Sequence, residues 1–152
     1  MALETVLVAV GPRDADRYER LGEEAIEIAG PAGATVVLGH VFTEEEYDQV
    51  LDRLEFDPER EEVSADDVAQ RHSTVRELGR MLDRGGVDYV VRGAVGDHGE
   101  RIVRIAEETD ADLVLVSGRK RSPTGKAVFG STAQEVMLSS PCPVTFVRED
   151  TR

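Results

Sequence analysis

The hydrophobic positions fall into five short runs, separated by segments with a different rhythm. Thr5–Val10, Thr35–Phe42, Val87–Val91, Asp112–Ser117 and Val144–Val147 are rich in valine and nearly continuous in apolar character. A strand buried on both faces reads this way, because neither side of its pleat meets water. Between the runs, apolar residues recur every three or four positions. Tyr18, Leu21, Ala25, Ile28 and Ala29 form one stripe, and Val68, His72, Val75, Gly79 and Leu82 a second. Ile102, Ile105, Ala106 and Thr109 form a third, and Ala133, Val136 and Met137 a shorter fourth. That period gathers them on one side of a helix. Asp97 followed by Glu100 gives the third helix a capping-box start, and Gly85-Gly86 closes the second. The resulting order, βαβαβαβαβ, predicts a single α/β domain over residues 1–152. Its core is a five-stranded parallel doubly wound sheet with helices on both faces and right-handed crossovers. Only Thr43–Asp67 departs from the unit. It holds 12 acidic and two basic residues with Pro58 inside, and reads as an acidic insertion loop of at most one helical turn.

Charge changes the picture next. Thirty-one acidic and 18 basic residues leave a net charge of −13. A surface this acidic repels nucleic acid, which argues against DNA or RNA as a partner. Only Lys120 and Lys126 are lysines, and an acidic, lysine-poor surface is the habit of proteins from salt-loving organisms. Cys142 is the single cysteine, so no disulfide forms within the chain, and no Cys/His cluster has metal-ligand spacing. Held between Pro141 and Pro143 with no histidine suggested beside it, Cys142 reads as a packing residue. No apolar run approaches the ~18 residues that cross a bilayer, and no signal-peptide pattern opens the chain. A cytoplasmic protein without a membrane partner is the expectation.

Against the acidic background stands one positive island. Leu113 to Gln134 carries Arg119, Lys120, Arg121 and Lys126 and no acidic side chain. Ligands of open parallel sheets bind beyond the carboxyl ends of the strands, where strand order reverses. With the first strand beside the third or the fourth, the loop after strand 1, which includes Gly11 and Arg13, helps line that crevice. With the fourth strand as neighbour, the second wall is the basic loop from Gly118 through Gly125 to Gly130-Ser131-Thr132. Its glycines let backbone N–H groups approach an anion, and the fourth helix opens at Gly130-Ser131-Thr132, where Ser131 or Thr132 caps it or donates to a phosphate. The loop is not a Walker P-loop: six residues, not four, separate Gly118 from Gly125, and Lys126 precedes Ala127. Gly93, Gly96 and Gly99 likewise do not make a dinucleotide fingerprint. Of the histidines, His72 reads as a boundary packing residue, His40 as locally hydrogen-bonded at a strand end, and His98 as exposed in a turn.

Several fragments together resemble the universal stress protein family over nearly the whole chain. Val6-Leu7-Val8-Ala9-Val10 resembles its first strand, and Leu38-Gly39-His40-Val41 its second. Ala111 to Gly118 (ADLVLVSG), Phe129-Gly130-Ser131-Thr132 and Pro141-Cys142-Pro143-Val144 follow in order at matching spacing. The resemblance implies strand order 3-2-1-4-5 and an adenine-nucleotide-binding, flavodoxin-like architecture, and the acidic, lysine-poor surface points to a haloarchaeal-type member. The resemblance also implies a homodimer paired through the last strand, 143–148. Some members bind ATP through G-x2-G-x9-G-[ST], and Mg2+ enters only with ATP. Gly130-Ser131 matches the end of that motif, but Lys120 stands at the middle glycine and Ser117 at the first; with one deletion, Gly118 and Arg121 take those places. Gly11 stands where ATP-binding members carry an aspartate. Val10 and Val41 remain at positions where the family's backbone meets the nucleoside. The resemblance therefore implies a stress-response module holding ATP or a related phosphate ligand; the alternative is a nucleotide-free dimer acting through a protein partner. No general base is evident, so at most weak ATP hydrolysis is expected.

Overall fold

A computed structural model describes residues 3–11, 18–53, 64–118 and 130–148. Five strands, β1 (Thr5–Val10), β2 (Thr35–Phe42), β3 (Tyr89–Val95), β4 (Leu113–Gly118) and β5 (Val144–Arg148), form one sheet. All neighbouring strands are parallel, in the order β3-β2-β1-β4-β5. The helices are α1 (Tyr18–Ala32), α2 (Glu44–Arg53), α3 (Ala65–Gln70), α4 (Ser73–Arg84), α5 (His98–Glu108) and α6 (Ser131–Ser139).

The alternation of the central strands explains the two-sided core. Val6, Val8 and Val10 of β1 face Leu21 and Ala25 of α1 and Val75, Leu78 and Leu82 of α4. Leu7 and Ala9 face the other way, toward Ile102 and Ile105 of α5 and Ala133 and Val136 of α6. Successive side chains of a strand point to opposite faces, so a strand covered by helices on both sides must be apolar throughout. Asp112 fastens the start of β1 to β4: its carboxylate accepts from the amides of Glu4 and Thr5 at 2.9 and 3.0 Å. These donors hold the Asp112 carboxyl below its ordinary range.

Three elements differ from the sequence reading. The third strand runs Tyr89–Val95, not Val87–Val91. Val87 belongs to the turn, where its amide donates to Leu82, and the strand begins with Tyr89 opposite Val36. It is an edge strand, so Arg92 and Gly93 sit within it without interrupting a buried run. Second, the acidic segment is not all loop. Thr43 and Glu46 make a reciprocal capping box, 2.7 and 3.1 Å, that opens the three-turn helix α2. Its Tyr47, Val50 and Leu51 pack against Phe42, Val68 and Ala69. Residues 54–63 of that segment lie outside the described residues. Third, the predicted second helix is two. Ser64 and Asp67 form another capping box for α3, and the chain breaks at Arg71–His72 before α4 begins.

The third helix starts as read: Asp97 is its N-cap and accepts from the Glu100 amide at 3.0 Å. Replacing Asp97 with alanine should cost about 1 kcal/mol in a urea titration. An unchanged midpoint would show that another group satisfies that amide.

Candidate functional site

All five strands are parallel, so their carboxyl ends share one edge. β1 lies between β2 and β4, the place where the chain's strand order reverses. Val8 of β1 pairs with Leu115 of β4, and three residues further each strand gives out at Gly11 and Gly118. Continuing the register sets Gly11 level with Gly118. On the other side Val10 pairs with His40, and Val41 follows it on β2. Val10, Gly11, Val41 and Gly118 therefore stand along one rim.

The start of α6 belongs to the same rim by connectivity. Only Ser140–Pro143 join the end of α6 to β5, so the helix ends at the opposite edge of the sheet, where β5 begins. Nine residues rising ~1.5 Å each carry its N-terminus back across the sheet, toward the strands' carboxyl ends. Gly130 is the N-cap residue and is exposed, and as a glycine it brings no side-chain cap of its own. This corrects the expectation that Ser131 or Thr132 is the cap: they are the first two helical residues, Ser131 exposed and Thr132 half-buried. The first turn of α6 thus opens on backbone donors that its N-cap residue has no side chain to engage, a disposition suited to an anion. The helix is seated by Glu135, whose carboxylate lies against Gly99 and Asp97 at the start of α5. Desolvation and the neighbouring Asp97 raise the Glu135 carboxyl above its ordinary range.

Close packing also shapes the β4 end. Gly118 is buried beneath the ring of Phe146 from β5, where any side chain would collide with it. Arg13, Arg119, Lys120, Arg121, Gly125 and Lys126 lie outside the described residues. The chain on either side of the basic segment is described, and it leaves the rim at Gly118 and returns at Gly130.

The rim holds a feature that sequence reasoning missed. His40, His72 and His98, separated by about thirty residues each, converge at the carboxyl end of β2. The His40 ring is 3% exposed, and its Nδ1 lies 2.7 Å from the Val10 carbonyl. His72, the N-cap residue of α4, stacks on it with ring centroids 4.2 Å apart, and the Phe42 ring meets it edge-on at 4.7 Å. His98 Nε2 lies 3.0 Å from Glu46 Oε1, tying the start of α5 to the start of α2. His98 is therefore partnered and half-buried rather than free in solvent. Burial, then the charge of His72, lowers His40 from 6.5 to about 4, although the Val10 bond pulls the other way. Burial also lowers His72, with Arg53 adding to it. Backbone and side-chain hydrogen bonds from Thr43 and His98 outweigh desolvation and hold Glu46 below its ordinary range. The strand-end position of His40 was the available signal; nothing in the spacing of the three histidines announces their meeting. Among the described residues no cluster of His, Cys, Asp and Glu is placed to hold a metal ion, and no helix is long and apolar enough to cross a membrane.

Comparison with known proteins matches this architecture. A Universal stress protein from Mycolicibacterium smegmatis is 34% identical over 79 residues, 51% of this chain; the aligned stretch spans 61% of that relative's length. The structure of a universal stress protein from Archaeoglobus fulgidus superposes with a TM-score of 0.72 at 27% identity, covering 95% of this chain and 98% of that one. Another universal stress protein structure from that organism, in complex with dAMP, has a TM-score of 0.66 at 22% identity over 97% and 99% of the two chains. The family model for the Universal stress protein family matches residues 2–148, and with the five-stranded order and the β1–β4 rim in place, the chain belongs to that family.

Proposed function

We propose that the chain is a stress-response module that binds an adenine nucleotide, ATP or a related phosphate ligand, between the turns after β1 and β4. One observation carries the reading: Gly11 and Gly118, where β1 and β4 give out, stand side by side on one rim, and the glycine-capped first turn of α6 belongs to that rim. The phosphates would meet the backbone of Gly130-Ser131-Thr132 and the charges of Arg119, Lys120, Arg121 and Lys126. The nucleoside would rest toward Val10, Gly11 and Val41. A structural neighbour in complex with dAMP supports an adenine nucleotide as the ligand class. Mg2+ would enter with a triphosphate, and binding rather than turnover is the role proposed.

The proposed assembly is a homodimer through β5, residues 143–148. The two sheet edges differ in a way that favours it. At the β3 edge, Asp66 of α3 accepts the Gly93 amide at 2.6 Å, and Arg92 lies between Asp66 and Glu108. A capped amide and a charged rim discourage strand addition there. At the other edge no described strand pairs with the outer side of β5.

Titration calorimetry with ATP tests the site. Replacing Arg119, Lys120 and Arg121 together with serine should weaken binding at least about tenfold, since hydrogen bonds to charged groups contribute about 1.5–3 kcal/mol. Raising KCl from about 0.1 to 1 M shortens the Debye length from about 10 to 3 Å and should shrink that difference. Equal affinity of wild type and triple variant at low salt would remove the basic loop from the site.

A further inference from the structure

His40 bonds the main chain rather than another side chain. A carbonyl oxygen only accepts, so the 2.7 Å contact with Val10 places the imidazole proton on Nδ1. Burial keeps the ring neutral at physiological pH, so it has one N–H, and the carbonyl engages it. The Val10 carbonyl and the Gly11 amide belong to one planar peptide group. Fixing the carbonyl therefore fixes which way the Gly11 N–H points. Gly11 makes this matter: Val10 is the last residue paired with β2, and glycine's φ is nearly unrestricted, so the ring reinforces the peptide at the point where the strand's own ladder ends. The ring that holds it is itself wedged, by His72 at 4.2 Å and Phe42 at 4.7 Å. The charged and titratable groups around it are His72 from the α3–α4 junction, Glu46 from α2 and His98 from α5, with Arg53 acting on His72.

We propose that His40 is a positioning residue for the crevice, one that locks the Val10–Gly11 peptide and so sets the wall that the β1 turn presents to the ligand. The effect on affinity rests on the nucleotide reading above; the locked peptide does not. His40→Phe keeps a ring in the slot and removes the donor, while His40→Asn returns an N–H near the place of Nδ1. With AMP as the probe, His40→Phe should bind about tenfold more weakly, the upper range for one lost hydrogen bond, and His40→Asn should recover most of that loss. A merely structural role for the ring predicts the reverse, because phenylalanine fills the slot better than asparagine. Equal AMP affinity in wild type and His40→Phe overturns the proposal and leaves the nucleotide reading intact.

Nitrogen NMR of the wild-type imidazoles needs neither ligand nor variant. It should find His40 protonated on Nδ1 at neutral pH; an Nε2-protonated ring overturns the proposal outright. The Gly11 amide resonance should shift or broaden in His40→Phe and, should that variant not fold, should stay near its wild-type position in His40→Asn. If AMP does not bind the wild type while the tautomer and the Gly11 amide behave as expected, the nucleotide reading fails and the locked peptide stands.

Discussion

Gly93→Ala should destabilise the protein by about 3 kcal/mol, at the upper end of the cost of forcing extra atoms into a packed site. Gly93 lies on β3 directly beneath the start of α3. A Cβ there would come within 3.0 Å of the carbonyl carbon and oxygen of Ala65 and would press on the Ala69 methyl. The obstacle is backbone, which cannot swing aside as the tip of a long side chain can. Relief requires α3 to lift from the sheet. Lifting it would break the 2.6 Å bond from the Gly93 amide to Asp66 and uncover Val68 and Ala69, 1% and 0% exposed. Gly30→Ala is the matched control. It sits exposed in α1, and beyond its chain neighbours nothing lies nearer than 3.9 Å to the new methyl; the helix propensity of alanine, worth about 1 kcal/mol, is opposed there by Pro31, whose ring disfavours a side chain on the helical residue before it. Urea titrations should therefore lower the Gly93→Ala midpoint far more than they move that of Gly30→Ala. A Gly93→Ala midpoint within experimental error of wild type would mean that α3 does not bear on β3 at this point.

Acid should destabilise the fold through His40, by an amount comparable to the Gly93 substitution. In the unfolded chain this imidazole titrates near 6.5; in its slot burial lowers it to about 4. Between those values the unfolded chain holds a proton that the folded chain refuses, so each downward step in pH favours unfolding. The contribution is complete above pH 6.5. It is lost as pH falls toward 4, and about 2.5 units at about 1.4 kcal/mol each make it about 3 kcal/mol. His72 is lowered as well and acts in the same direction. His40→Phe removes the titrating group, so its stability should fall less steeply than wild type between pH 6.5 and 4.5. Parallel pH profiles for the two proteins would show that the ring is solvated.

The centre of the sheet was legible because its physics is local. β1 and β2 are covered on both faces, their apolar runs are unbroken, and their predicted boundaries match the structure. β3 was displaced because an edge strand is buried on one side only, and Arg92-Gly93 breaks the apolar run without breaking the hydrogen-bond ladder. α2 was hidden by its charge: seven exposed or half-buried polar positions surround the stripe of Tyr47, Val50 and Leu51. The capping pairs Thr43/Glu46 and Ser64/Asp67 marked both missed helix starts. The rim between Gly11 and Gly118 followed from glycine placement only once the family resemblance supplied the strand order. The histidine cluster was not legible, because residues 40, 72 and 98 meet only once the chain has crossed from β2 through α2–α4 to β3 and started α5. His72 fitted a helical stripe by spacing alone, whereas it is the residue at which that helix breaks.

Backbone NMR of the labelled protein during an ATP titration addresses the central claim most directly. A ligand between the β1 and β4 turns predicts saturable shifts at the amides of Val10, Gly11, Val41, Gly118, Gly130, Ser131 and Thr132, while the α1–α4 face stays unchanged. No saturable shift at millimolar ATP in the folded protein, or shifts confined to residues away from that rim, would contradict it.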